Sequence, residues 1–279
     1  MTFSHSNAAA TDPPRAFSLV TSLLAMVLAI APLISQAQER AMNKPTVVLV
    51  HGAFAESSSW NRVSAKLLAK GYSVIAIANP LRSVKGDASY LASLIDSIHG
   101  AVILVGHSYG GTVITVAAEG KSNVKALVYV SGLAPDLGET ASGLVGKFPG
   151  STLGPTLAPP VILADGAKDL YISQDKFHAQ FAADLAANEA KLMAVTQRPI
   201  PEAAFNEPAS AAAWKTIPSW FLYGSLDKNV PPAVHAFMAK RAGAKEIVEI
   251  KGSSHVVMMS HPDALVKMIE DATAATASR

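Results

Sequence analysis

The sequence predicts an α/β fold: a mainly parallel sheet of about six strands covered by helices, with a small cap insertion. Three observations carry this. Short β-branched apolar runs alternate with stretches whose apolar residues recur at helical spacing. Half of the 279 residues are hydrophobic and only 16% are charged, enough for one sizeable core. Finally, the alternation fails once, over about residues 135–214, where a compact domain is expected to carry an insertion.

The first strand is Thr46–Val50, an uninterrupted apolar run ended by His51-Gly52, as suits a strand covered on both faces. Trp60, Val63, Leu67 and Leu68 then fall on one helix face, closed by Gly71. Ser73–Ala78 reads as the second strand, and Leu91, Leu94, Ile95 and Ile98 mark the next helix. Ala101–Val105 is the third strand, running through Gly106-His107-Ser108-Tyr109-Gly110-Gly111 into an apolar helix. Val124–Val130, Ser219–Tyr223 and Lys245–Ile250 complete the set. Within the 135–214 stretch, Phe177, Phe181 and Leu185 suggest one helix and Leu192 to Val195 another. That stretch is expected to lie over the carboxyl edge of the sheet, where open α/β folds bind ligands. The Ala/Thr/Ser-rich tail from Ala272 reads as a frayed end.

Residues 1–41 stand apart from this pattern. Phe17–Ile34 is nearly all apolar and is followed by Ser35-Gln36-Ala37, small residues at the two positions a signal peptidase reads. The expectation is a leader cleaved after Ala37 and a periplasmic or secreted domain over residues 42–279. A membrane anchor, or a cytoplasmic protein starting at Met42, are the competing readings. The mature domain itself offers nothing for a membrane. With a net charge of +2 and no dense basic run, there is no electrostatic case for nucleic acid. The absence of cysteine excludes disulfides, thiolate metal sites and a cysteine nucleophile. No cofactor loop and no metal-ligand spacing is present, so neither a cofactor nor a metal is expected. The oligomeric state is not legible.

The chemistry concentrates at Gly106-His107-Ser108-Tyr109-Gly110, a G-x-S-x-G pentapeptide between a strand and a helix. A sharp turn there exposes Ser108 as nucleophile and aims the Tyr109 amide at the same point. A serine hydroxyl needs a base. Of His51, His99, His107, His178, His235, His255 and His261, His255 lies on a loop just past the sixth strand and is the candidate. His107 sits inside the elbow, His51 is read as structural, and His261 heads the last helix. The acid is Asp227, directly after the fifth strand, with Asp136 and Asp169 as rivals. Backbone amides of Ala53, after the first strand, and Tyr109 are the candidate oxyanion donors. The aromatics Tyr171, Phe177, Phe181, Phe205 and Trp214 either line a pocket or simply pack the insertion.

With these residues assembled, the chain resembles the α/β-hydrolase family over about residues 45–272. HGAFAESSSW, VGHSYGG, AWKTIPSWFLYGSLD and SSHVVMMSHPDAL look like small bacterial hydrolases, themselves similar to plant methyl-ester esterases and hydroxynitrile lyases. The resemblance implies a serine hydrolase of the carboxylesterase type, acting on a small-molecule ester through an acyl-enzyme without a cofactor. It departs from the lyases, which carry a lysine where this chain has Val256 and a threonine where it has Gly52. Lyase or perhydrolase chemistry, and a ligand-binding protein with vestigial turnover, are the alternatives.

Overall fold

The computed structural model describes residues 1–4 and 44–277. The leader reading therefore falls outside the described residues, apart from the exposed first four. Among the described residues, no helix is long and apolar enough to cross a membrane.

Six strands form one parallel sheet: β1 Thr46–Val50, β2 Ser73–Ile77, β3 Val102–His107, β4 Val124–Val130 and, after a long excursion, two more. Within that excursion lie β5 Val161–Ile162, β6 Lys168–Leu170 and β7 Ile200–Pro201, a separate antiparallel sheet. The main sheet resumes with β8 Ser219–Gly224 and β9 Glu246–Ile250, in the order β2-β1-β3-β4-β8-β9. β1, β3 and β8 are almost wholly buried, as continuous apolar runs require, whereas β9 alternates half-buried and exposed positions as an edge strand does.

The topology places the site. From β1 the chain crosses outward to β2, then returns past β1 to β3 and continues in the new direction to β4. Parallel crossovers are right-handed, so reversing direction puts successive helices on opposite faces. The helix Asn61–Ala69 packs against Pro262–Thr276, and Val84–Ser97 packs against Tyr109–Ala117. Between β1 and β3 the connections diverge and leave a crevice at the carboxyl ends of the strands. Ala53 follows β1 there and Ser108 follows β3.

Where the structure differs from the sequence reading, the reasons are local. β3 extends two residues further, because Gly106 and His107 continue the ladder opposite Tyr129 and Val130. Trp60 belongs to a 3₁₀ turn, Ser57–Trp60, rather than to the following helix, and Leu68 is 58% exposed instead of lying on the buried face. The tail does not fray at Ala272: the last helix runs to Thr276, with Ala272 and Thr276 both buried. The 135–214 stretch contains the expected helices as Gln174–Phe181 and Ala187–Thr196, but also the small antiparallel sheet that no periodicity announced.

Candidate active site

Ser108 occupies a backbone conformation that side chains rarely adopt, φ 52° and ψ −123°. Such strain costs about 1–3 kcal/mol and persists only where the surroundings over-determine it. Here the Ser108 amide donates to the Val130 carbonyl at 3.2 Å, and its carbonyl accepts from Gly111 and Leu133 at 2.9 and 3.0 Å. The motif glycines are needed for approach rather than flexibility. A Cβ on Gly106 would stand 2.6 Å from the Gly110 carbonyl oxygen, and one on Gly110 would strike the backbone of Val50. A Cβ on Gly52 would lie 2.6 Å from that of Ser108, so the loop after β1 lies directly against the elbow.

Both candidate oxyanion donors sit at this junction. Tyr109 opens the helix Tyr109–Ala117, whose first amides have no intrahelical acceptor. Among the described residues, neither the Ala53 nor the Tyr109 amide donates to a protein acceptor. Next to Ala53, Phe54 has φ 60° and its amide donates to the Arg198 carbonyl at 3.0 Å. His51 braces the loop: its Nδ1 donates to the Gly52 carbonyl at 2.9 Å, and its Nε2 accepts from the Asn79 amide at 3.1 Å. Burial, partly offset by the bond to Gly52, lowers its pKa from 6.5 to about 4. This imidazole is neutral and structural.

His255 and Asp227 come together from separate loops. His255 Nδ1 donates to Asp227 Oδ2 at 2.7 Å, and both side chains are buried. Asp227 Oδ1 accepts the Asn229 and Val230 amides at 2.9 and 3.0 Å. Burial works to raise this carboxyl, but the charge of His255 and the bonds from His235 and His255 outweigh it and hold it well below its ordinary 3.8. The other nitrogen of His255, Nε2, has no protein partner. The rival acids lie elsewhere. Asp136 pairs with Lys215, which holds its carboxyl below the usual range, and Asp169 takes both its oxygens to Arg82 at 3.0 and 3.1 Å.

His107 points into the scaffold, with Nε2 donating to the His255 carbonyl at 3.1 Å. Burial, followed by the nearby His255, lowers its pKa well below 6.5. His107 therefore steadies the His255 loop as a neutral donor.

Ser108, His255 and Ala53 line one cavity of about 350 Å³. The 135–214 segment supplies much of its wall, including Val145, Leu157, Leu170, Phe181 and Phe205. Of the aromatics singled out in the sequence, Phe181 and Phe205 thus face the cavity. Phe177 is buried against Phe181, and Trp214 Nε1 donates to the Pro135 carbonyl at 2.7 Å. Among the described residues, the only ionisable side chains in the lining are His255 and Glu202, and Glu202 faces Lys168 at 3.5 Å. Among the described residues, no group of His, Cys, Asp and Glu is arranged to hold a metal ion.

Two contributors were not assigned from the sequence. His235 Nε2 reaches Asp227 Oδ2 at 3.2 Å, yet it sits eight residues along the chain on a helix, with no motif around it. Asp184 accepts from Ser253 Oγ at 2.8 Å and from Ser254 Oγ, the two residues before His255. Burial would raise the Asp184 carboxyl, but hydroxyls of Ser254, Ser260 and Ser253 hold it below its usual value. The paired serines ahead of the candidate base were the only trace of this contact in the sequence.

Comparisons with known proteins bear on the fold and the family. Methylesterase 4 and an α-hydroxynitrile lyase, both of Arabidopsis thaliana, are each 25% identical to this chain. The matches span 256 residues (81% of this chain, 95% of the relative) and 240 residues (78% and 93%) respectively. The crystal structure of polyneuridine aldehyde esterase superposes with a TM-score of 0.72 at 19% identity, covering 82% of this chain and 98% of that one. Residues 47–268 match the model of the alpha/beta hydrolase family, and the chain belongs to that family.

Proposed function

We propose that this protein hydrolyses a neutral carboxylic ester through an acyl-enzyme formed on Ser108. The observation that carries the reading is the strained Ser108 opening onto a cavity it shares with His255, whose far nitrogen is bonded to a buried, ionised Asp227. The ester-cleaving relative agrees with it. Equal identity to a lyase means that the chemistry has to be argued from the residues.

His255 Nε2 takes the Ser108 hydroxyl proton as Oγ attacks the ester carbonyl carbon. The charge that develops on the carbonyl oxygen is met by the Ala53 and Tyr109 amides, which need not reorganise. Collapse of the tetrahedral intermediate expels the alcohol oxygen, and His255 returns the proton to it. His255 then deprotonates a water that attacks the acyl carbon, releasing the acid and restoring Ser108. Asp227 holds the Nδ1–H tautomer throughout and stabilises the transient imidazolium.

The cavity's chemistry supports one class of substrate. A largely apolar wall, whose ionisable lining groups among the described residues are His255 and the Lys168-paired Glu202, favours a neutral ester with an apolar body. The 135–214 segment serves as the cap that shapes this space. Lyase chemistry lacks support, because the position after His255 is the buried, apolar Val256, with no cation to receive a leaving anion.

The test is turnover of activated esters together with labelling of Ser108 by a fluorophosphonate. Ser108→Ala is expected to lose ester turnover by about 10⁴-fold or more and to lose labelling, with circular dichroism unchanged. A folded Ser108→Ala protein that retains full turnover overturns the acyl-enzyme.

A further inference from the structure

We propose that His235 is a positioning residue for the reaction: by donating Nε2–H to the same Asp227 oxygen that binds His255, it limits how much of the carboxylate's charge His255 receives. This rests on the function proposed above for Ser108, His255 and Asp227.

The geometry restricts the alternatives. Asp227 Oδ2 has two imidazole nitrogens within hydrogen-bond distance, His255 Nδ1 at 2.7 Å and His235 Nε2 at 3.2 Å. Its other oxygen is fully used by the Asn229 and Val230 amides. An ionised carboxylate only accepts, so both imidazoles must donate, and His235 must carry its proton on Nε2. The remaining nitrogen, Nδ1, is buried without any partner. A second proton there would be both a charge and an unpaired donor in an apolar environment, which is costly. His235 is therefore the neutral Nε2–H tautomer. It is fully buried, and the ring of Tyr223 stacks on it with centroids 4.9 Å apart and planes 21° apart. The ring cannot easily swing away.

The consequence falls on the proton affinity of His255. Around that imidazole stand Asp227 from the loop after β8, His107 from β3, Ser108 across the cavity and Phe181 from the 135–214 segment. Asp184 lies one residue removed, through Ser254. Among the described residues, Asp227 is the only carboxylate bonded directly to His255. Each additional donor on its oxygen disperses its charge and leaves less for an imidazolium. His235 thus makes Asp227 a weaker partner for an imidazolium at His255 than an unshared aspartate would be.

The experiment measures the His255 titration by imidazole NMR in the intact protein and in His235→Leu and His235→Gln, together with the pH profile of kcat/KM for an activated ester. His235→Leu removes the donor and is expected to raise the His255 titration by about 0.5–1 pH unit, the equivalent of one modest hydrogen bond. The acid limb of kcat/KM should move up with it, kcat should fall several-fold and KM should stay within about twofold. His235→Gln puts a non-titrating N–H in the same place and should restore both the titration and the profile. An unshifted His255 titration in a folded His235→Leu protein overturns the proposal, as does a shift that Gln fails to reverse. If the Leu variant does not fold, the wild-type spectrum decides: a His235 protonated on Nδ1 instead of Nε2 overturns the proposal, and protonation on Nε2 supports it. A protein that shows the shift yet cleaves no ester retains the shared carboxylate and loses only the proposed ester hydrolysis.

Discussion

The sheet edge and the 135–214 segment contribute to the same cavity in different ways. Ala53, Ser108, Asp227 and His255 each lie within five residues of the end of a main-sheet strand, so their placement is inherited from the parallel ladder. The segment instead holds itself together with strands of two or three residues and side-chain-to-backbone bonds. Buried Gln197, for example, bonds both the amide and the carbonyl of Ile172 at 2.9 Å. One region is specified by repetition and close backbone packing, the other by individual long-range contacts. Under the proposed function the difference becomes a division of labour, with chemistry on the ladder and selectivity on the segment.

The sharpest way to break that division is to alter the ladder's own carboxylate. Asp227→Asn is expected to cut kcat by about 10³–10⁴-fold, because it misorients His255 without moving Ser108. Asp136→Asn, on the segment's side, should stay within about twofold of the native rate. Ester turnover of the two folded variants checks this, and the reverse ranking would move the acid to Asp136.

A second prediction concerns stability. His51 is neutral when folded, with a pKa of about 4 against 6.5 when free. Between those values the unfolded chain binds more protons, so stability is full above about pH 6.5, falls as pH drops toward 4, and levels off below. The loss from this group is on the order of 3 kcal/mol. Buried His107, also held well below 6.5, adds in the same direction. Urea unfolding across pH 4–7.5 reads the slope, and His51→Gln should flatten it. An unaltered slope would show that the loop after β1 is not braced as described.

The smallest effect belongs to the segment. Val145→Phe narrows the cavity wall and should lower kcat/KM for a bulky-acyl ester by about 10-fold while sparing an acetate ester. A uniform loss across acyl sizes, measured as kcat/KM over a chain-length series, would show that the segment also bears on the chemistry.

The same contrast explains what could be read beforehand. The six main strands were legible because each is an apolar run bounded by turn residues, and the Ser108 elbow because strand, pentapeptide and helix are contiguous. Ends were less clear: His107 looked like turn and proved to be the last residue of β3, since only its pairing with Val130 reveals it. The β5-β6-β7 sheet left no trace, as strands of two or three residues have no readable period. His235 was visible only as one histidine among several, because its partner is fixed by how a helix lies against β8 and not by any neighbour in sequence.

The Asp184 contact has a consequence for evolution and engineering. Because Asp184 grips Ser253 and Ser254, the segment that shapes the pocket also holds the backbone carrying His255. It is therefore not a freely exchangeable module. A chimera that imports this region from a relative must also import a carboxylate at that spot, or its new selectivity will arrive with a slackened base. Combinatorial libraries aimed at new substrates would do well to randomise the wall around Val145 and Leu157 and leave residues 181–185 untouched.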